Sequence, residues 1–360
     1  MSKPAKYLLV GSTEAYSGKS ATVLGLAHQL LHKGFDIAYG KPLGTFWSEI
    51  DGIDEDVRFL AQTLKLPENR LCPTLAALDA ESIARRITGA DTIDYVARLR
   101  QSVQPPKGDL VLLEAAGTIE EGRLFNLSLS QITEAIDAAV VLVARCHSLQ
   151  VADSLLWAKK CLGDRLVGVL LNDIPADQHE QVTTQLQPFL ERQGIPVLAL
   201  LPRNSLLRSV SVRELVQQLQ AEVLCRPDRL DLMVESLTIG AMNVNSALKY
   251  FRKAHNMAVV TGGDRADLQL AALETSTQCL ILTGHIPPMT TILTRAEDLE
   301  IPILSVDLDT LTTVEIVDRA FGQVRLHEPI KVQCVYQMMA KYLDVDRLMQ
   351  QIGIEPAVTA

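Results

Sequence analysis

Apolar runs of four to eight residues recur along the chain, and each gives way to a longer stretch in which apolar positions return every three or four residues. An unbroken apolar run fits a strand buried on both faces, and the three-to-four spacing fits a helix with one buried side. Their alternation predicts parallel strands joined by crossover helices. In the first half the strands fall at Tyr7 to Val10, Asp36 to Tyr39, Leu110 to Glu114, Ala139 to Ala144, Leu166 to Asn172 and Pro196 to Leu201. Between them lie helices at Ser20 to His32, closed by Gly34, and at Asp54 to Leu64, Asp91 to Gln104, Val151 to Cys161 and Ala176 to Arg192.

The rhythm breaks between Leu215 and Asp231, a mostly polar helical stretch containing Arg226-Pro227-Asp228, and the domain boundary is placed there. Beyond it the pattern resumes with helix Asn243 to Arg252, strand Met257 to Thr261, helix Arg265 to Ser276 and strand Cys279 to Thr283. Helix Thr290 to Leu299, strand Ile303 to Asp307 and helix Thr312 to Phe321 follow. This reads as a second, smaller α/β domain. Cys334 to Leu343 and Val345 to Ile352 are amphipathic and predict helices that pack back on a domain or on another subunit. The expected organisation is a first domain over 1–215, a second over 216–328 and a helical tail over 329–360.

Length agrees, since 360 residues exceed one ordinary core. Aromatic residues make up only 4% of the chain, so aliphatic side chains must fill the core. The net charge of -9 is spread along the chain, which argues against nucleic acid as a partner. No apolar run approaches the ~18 residues of a membrane span, and the start of the chain runs directly into a strand without a cleavable apolar segment. A cytoplasmic protein without a membrane partner is expected. The six cysteines, Cys72, Cys146, Cys161, Cys225, Cys279 and Cys334, lack metal-ligand spacing and read as buried free thiols in a reducing compartment.

Candidate chemistry begins between the first strand and first helix, at Gly11-Ser12-Thr13-Glu14-Ala15-Tyr16-Ser17-Gly18-Lys19-Ser20. A phosphate loop needs small residues that let amides turn inward, a helix N-terminus facing the anion, a lysine, and a hydroxyl for magnesium. Gly18, Lys19 and Ser20 supply these in order, with Thr13 at the place of the pattern's first glycine and Ser17 completing the turn. Lys41 follows the second strand and would emerge where open α/β sheets bind ligands, touching a phosphate or a substrate carboxylate, unless it is an ordinary exposed lysine. Glu114 ends a buried strand and can join a magnesium shell beside Ser20. Asp54 and Asp56 can complete that shell or form an exposed acidic helix start. Asn172 can read an adenine edge, or Asn172 or Asp173 can cap the loop. Pro202-Arg203-Asn204 is placed in the same pocket.

These residues carry a resemblance. The stretch from Leu8 to about Leu215, with Gly11 to Ser20, Lys41-Pro42, Glu114-Ala115-Ala116-Gly117, Leu171-Asn172 and Leu201-Pro202-Arg203-Asn204, resembles the dethiobiotin synthetase-like, or BioD-like, P-loop domain. Ile239-Gly240-Ala241-Met242 and Val260-Thr261-Gly262-Gly263-Asp264-Arg265-Ala266-Asp267 resemble the DRTGG domain. That order looks like the N-terminal region of long phosphate acetyltransferases and the stand-alone phosphotransacetylase family proteins. The resemblance implies a P-loop NTPase-type doubly wound parallel sheet followed by a smaller α/β DRTGG domain. It also implies ATP, or a related nucleotide, at Gly18, Lys19 and Ser20, and Mg²⁺ near Ser20 and Glu114. Acetyl transfer is not implied: in the long enzymes the catalytic domain follows the DRTGG domain, and this chain ends at Ala360. The dethiobiotin synthetase substrate pocket does not carry over, because those enzymes lack a DRTGG domain.

In the second domain, Gly262, Gly263, Asp264 and Arg265 join a strand to a helix. The turn suits a small anionic ligand or a protein partner's carboxylate, or it is a plain Gly-Gly turn capped by Asp264. His285 reads as a loop histidine. The expected function is a regulatory or sensing module that binds ATP and magnesium. The alternative is an ATP-dependent ligase that phosphorylates a carboxylate, and catalytic residues are not identifiable in either case. An ATPase or such a ligase is the most that an enzymatic reading allows, and a homo-oligomer is expected from the amphipathic tail.

Overall fold

The computed structural model describes residues 6–44, 53–104, 106–322 and 326–354, so the end of the expected tail, 355–360, lies outside the described residues. The chain forms two compact units. The first comprises Met1–Arg203 together with Leu326–Ala360, and the second is Asn204–Arg325. The units therefore part after Arg203, and the tail belongs to the first unit.

The first unit is built on a seven-stranded sheet, in the order Leu71–Cys72, Ile37–Gly40, Leu110–Glu114, Tyr7–Ser12, Ala139–Arg145, Leu166–Ile174, Val197–Pro202. Every neighbouring pair is parallel. Tyr7–Ser12 is central and buried along its whole length, which explains its unbroken apolar run. One face of the sheet, with Leu9, Val111, Leu113 and Leu142, packs with Leu99, Leu129, Ile132 and Leu155 from three helices, Tyr95–Val103, Leu129–Ile136 and Val151–Leu162. Helix Lys19–His32 leaves the central strand and packs against the tail helix Pro329–Tyr342.

The second unit holds a five-stranded sheet in the order Glu222–Cys225, Ile303–Ser305, Thr277–Thr283, Met257–Gly262, Ser236–Gly240. The last four strands are mutually parallel, and Glu222–Cys225 runs antiparallel at the edge. The fold class is thus α/β in both units.

Several elements differ from the sequence reading. The stretch from Leu215 to Asp231 is not one helix: Val212–Leu219 is helical, Glu222–Cys225 is an edge strand, and Pro227–Arg229 is a short 3₁₀ turn. A four-residue edge strand is specified by its partner Ile303–Ser305, far away in sequence, and leaves no local period. Ser236–Gly240 was not expected as a strand, and Ala80–Ile87 and Leu129–Ile136 were not expected as helices. The last carries a signal, because Ser128 and Gln131 form a capping box. The helix expected over Ala176 to Arg192 is interrupted by a π-helical stretch, Val182–Leu186, just before Pro188, which has no N–H to continue the ladder.

Candidate functional site

The loop between the central strand and helix Lys19–His32 is turned by two left-handed residues, Tyr16 at φ 54° and Gly18 at φ 95°. Gly18 is the N-cap, so the helix start faces the loop without a side-chain cap. Thr13, in the place of a glycine, donates its N–H to Val143 O at 3.3 Å and is held against the neighbouring strand. The Ser17 hydroxyl is buried and has no hydrogen-bond partner among the described residues.

Lys19 is 8% exposed and donates to Ser12 Oγ at 3.0 Å and Gly117 O at 3.3 Å. Burial pulls its pKa below the ordinary lysine value, and Glu114 pulls the other way. Ser20 Oγ donates to Glu114 Oε1 at 2.9 Å, and Tyr39 OH donates to Glu114 Oε2 at 3.0 Å. Burial raises the Glu114 pKa, opposed by Lys41. Lys41 is not an exposed lysine. It is 5% exposed, 3.2 Å from Asp54 Oδ1 and 2.7 Å from Asp56 Oδ2. Burial alone would lower its pKa, but Glu114, Asp56 and Asp54 together hold it above the ordinary range. Asp54 is buried rather than exposed, and it caps helix Glu55–Leu64 by accepting from Asp56 N. The structure therefore gathers Ser17, Gly18, Lys19, Ser20, Lys41, Asp54 and Glu114 at the carboxyl edge of the parallel strands. Among the described residues, Lys19 and Lys41 stand with the carboxylates of Asp54, Asp56, Glu114 and, through Gly117, Glu121. A divalent cation would turn that balance toward attracting polyphosphate.

Asn172 sits at the same edge and donates from Nδ2 to Ser17 O at 2.8 Å, so its side chain meets the phosphate loop itself. Arg203 Nε donates to Asp173 Oδ1 at 3.0 Å. Residues the sequence reading gave no role of their own are Ser12, Tyr39 and Arg145, and Asp173, expected at most as a loop cap, is instead the partner of Arg203. All lie in strands or directly after them, at positions whose role depends on which strands become neighbours.

In the second unit the turn at Gly262–Arg265 is tightly packed. A Cβ on Gly263 would fall 2.2 Å from Ile286 O, which accounts for the glycine without a ligand. Asp264 is not the cap: the N-cap of helix Ala266–Leu273 is Arg265, and no side chain caps it. Arg265 is turned to Asp267 at 3.1 Å and to Met242 O at 3.1 Å. Buried Gln269 donates to Gly262 O and Gly263 O, both at 3.0 Å. His285 is a turn residue at φ 53° whose N–H meets Val306 O.

A wholly parallel sheet with a Gly-Lys-Ser loop leaving its central strand, and a carboxylate ending the adjacent strand, defines a P-loop domain of the BioD-like kind. Residues 6–211, more than half of the chain, match the AAA domain family AAA_26, and the chain belongs to that family. Residues 214–320 match the DRTGG domain. Similar curated proteins are the phosphate acetyltransferase of Synechocystis sp., 26% identical over 278 residues, and that of Nitratidesulfovibrio vulgaris, 23% identical over 363 residues. The first alignment covers 74% of this chain and 39% of the relative, and the second covers 95% and 51%. The chain thus spans about half the length, or less, of these relatives, consistent with the N-terminal region of long phosphotransacetylases. Among solved structures, the CBS and DRTGG domains of the regulatory region of Clostridium perfringens pyrophosphatase, complexed with diadenosine tetraphosphate, align at 19% identity. That alignment has a TM-score of 0.28 and covers 54% of this chain and 83% of that one, too loose a likeness to transfer a ligand. No helix among the described residues is long and apolar enough to cross a membrane.

Proposed function

We propose that this protein binds ATP with Mg²⁺ at the phosphate loop and acts as a regulatory or sensing module, in which occupancy of that site is passed to the DRTGG domain. The observation that carries the reading is the set Lys19, Ser20 and Glu114: a buried ammonium that donates to the neutral oxygens Ser12 Oγ and Gly117 O, next to a hydroxyl and a carboxylate 2.9 Å apart. The orphaned Ser17 hydroxyl on the same loop adds a polar atom in want of a partner.

The donors fit a hard cation. Ser20 Oγ and Glu114 would hold magnesium, with Asp54 nearby, and the ion would neutralise polyphosphate charge. The sensing role is supported by connectivity. The second unit leaves the first after Arg203, bonded to Asp173 beside Asn172, and returns at Leu326, next to His327, whose Nε2 lies 4.0 Å from Asp56 Oδ1. A cytoplasmic location is in keeping with six free cysteines, four of them buried, with Cys334 half-buried and Cys161 exposed.

One observation favours the second reading, an ATP-dependent ligase. Lys41 brings a further buried ammonium to the site beyond the one the phosphate loop needs, and it could position a carboxylate for in-line phosphorylation. Ligand-dependent melting tests the common ground. With free ATP at ~100 times Kd, the protein should gain roughly 2.7 kcal/mol, and Lys19→Ala should lose most of that gain while keeping its fold. An equal gain in the variant would remove the phosphate-loop assignment. ADP release across a panel of carboxylic acids separates the readings, since acid-stimulated turnover sinks the purely regulatory one.

A further inference from the structure

Two consecutive carbonyls of the phosphate loop are taken up from outside by side chains of two neighbouring strands. Arg145, at the end of Ala139–Arg145, donates from Nη2 to Tyr16 O, and Asn172 donates from Nδ2 to Ser17 O at 2.8 Å. A trans peptide is planar, with its C=O and N–H on opposite sides. Holding these carbonyls therefore fixes the N–H groups of Ser17 and Gly18, and both point away from Arg145 and Asn172. The backbone agrees. Tyr16 and Gly18 are left-handed and Ser17 between them is not, an alternation that turns successive amides toward one concave, anion-holding side. A left-handed tyrosine costs about 1 kcal/mol, so this shape needs a hold from outside the loop.

We infer that Arg145 and Asn172 are positioning residues, a clamp that keeps the loop amides aimed at the polyphosphate part of the ligand, for which Asn172 spends one of its two N–H donors. The inference rests on the phosphate-site reading above. Asn172 is packed directly under the loop, since a Cβ on Gly18 would lie 2.5 Å from its Nδ2. Arg145 is steered by charge: its Nε lies 3.9 Å from Asp173 Oδ2 and 3.8 Å from Glu14 Oε1, with no hydrogen bond of its own.

The test compares two ligands on the full chain by isothermal titration with magnesium, ATP and inorganic tripolyphosphate, which has no base. Asn172→Ala and Arg145→Met should each weaken both ligands by the same factor, about tenfold, one charge-assisted or buried hydrogen bond being worth that much. Arg145→Lys, which can still donate to the Tyr16 carbonyl, should retain most of the affinity. Stoichiometry near one per chain establishes that folded protein is being read, so a misfolded variant lowers the stoichiometry and leaves the affinity. Should Asn172→Ala fail to fold, Arg145→Met carries the same expectation from the other strand. Loss confined to ATP, with tripolyphosphate unchanged, overturns the clamp and makes Asn172 a base reader. Wild-type protein that binds neither ligand overturns the phosphate-site reading and the clamp with it.

Discussion

Gly18 answers two demands at once, a left-handed φ of 95° and an approach so close that a Cβ would fall 2.5 Å from Asn172 Nδ2. Gly18→Ala should therefore cost about 1–2 kcal/mol in strain and push Asn172 aside. Calorimetry should show a melting temperature lowered by a few degrees and nucleotide binding abolished, and wild-type affinity in this variant would contradict the loop geometry. Glu114 is a carboxylate buried beside Ser20, whose Oγ donates to it, and the proposed magnesium shell rests on it. Glu114→Gln preserves the shape and keeps one acceptor oxygen, while its NH2 can donate to the other hydroxyl once that hydroxyl turns to accept, so the ligand-free protein should melt no lower than the wild type. Its nucleotide affinity should lose its response to magnesium by roughly tenfold or more. A magnesium titration that leaves the two proteins indistinguishable would remove Glu114 from the proposed metal shell.

Between elements, the packing that matters most to the site is that of helix Lys19–His32 against the tail helix Pro329–Tyr342. Gly25 permits it: a Cβ there would meet Met339 Cγ at 2.2 Å and Cβ at 2.9 Å, atoms too near the backbone to swing away. The His28 ring stacks on Tyr336 with centroids 3.7 Å apart, extending the same seam. Gly25→Ala should destabilise by roughly 1–3 kcal/mol through overpacking, despite the ~1 kcal/mol that alanine gains in a helix. Combining it with Met339→Ala should destabilise less than the two single changes added together, measured by urea denaturation. Strict additivity would mean that the two side chains do not meet. The next tail helix, Val345–Ile352, is held by Arg347, which grips Glu191 through both guanidinium ends at 2.7 Å. The Arg347 bonds hold the Glu191 carboxyl below its ordinary value of 4.5. A depressed carboxyl stabilises above its unfolded value and loses that contribution as pH falls through the folded one. The protection factors of amides in this helix, with the acid slowing of intrinsic exchange divided out, should therefore fall as pH drops below about 4.5, and Glu191→Gln should erase the pH step. Both side chains are about a third exposed, so screening limits the effect to about 1 kcal/mol.

At the scale of the molecule, the tail belongs to the unit that carries the phosphate loop, and the second unit is inserted before it. Nucleotide binding should consequently slow hydrogen exchange in Pro329–Tyr342 as well as in Lys19–His32, although the tail lies far from the loop in sequence. Protection confined to the loop would argue against transmission along that seam. The alternating periods settled the α/β class and the principal strands of the first sheet, since burial on both faces writes itself as an apolar run. Gly18, Lys19 and Ser20 were legible because a phosphate loop is local, a strand end and a helix start joined by a few residues. Glu114 was visible as a charge ending a buried run. Strand order, the edge strand Glu222–Cys225, the buried Lys41 between Asp54 and Asp56, the contact of Asn172 with Ser17 O and the seat of the tail on Gly25 were decided only in three dimensions. Each joins residues far apart in the chain, where the free energy belongs to the pair and no local pattern of side chains can announce it.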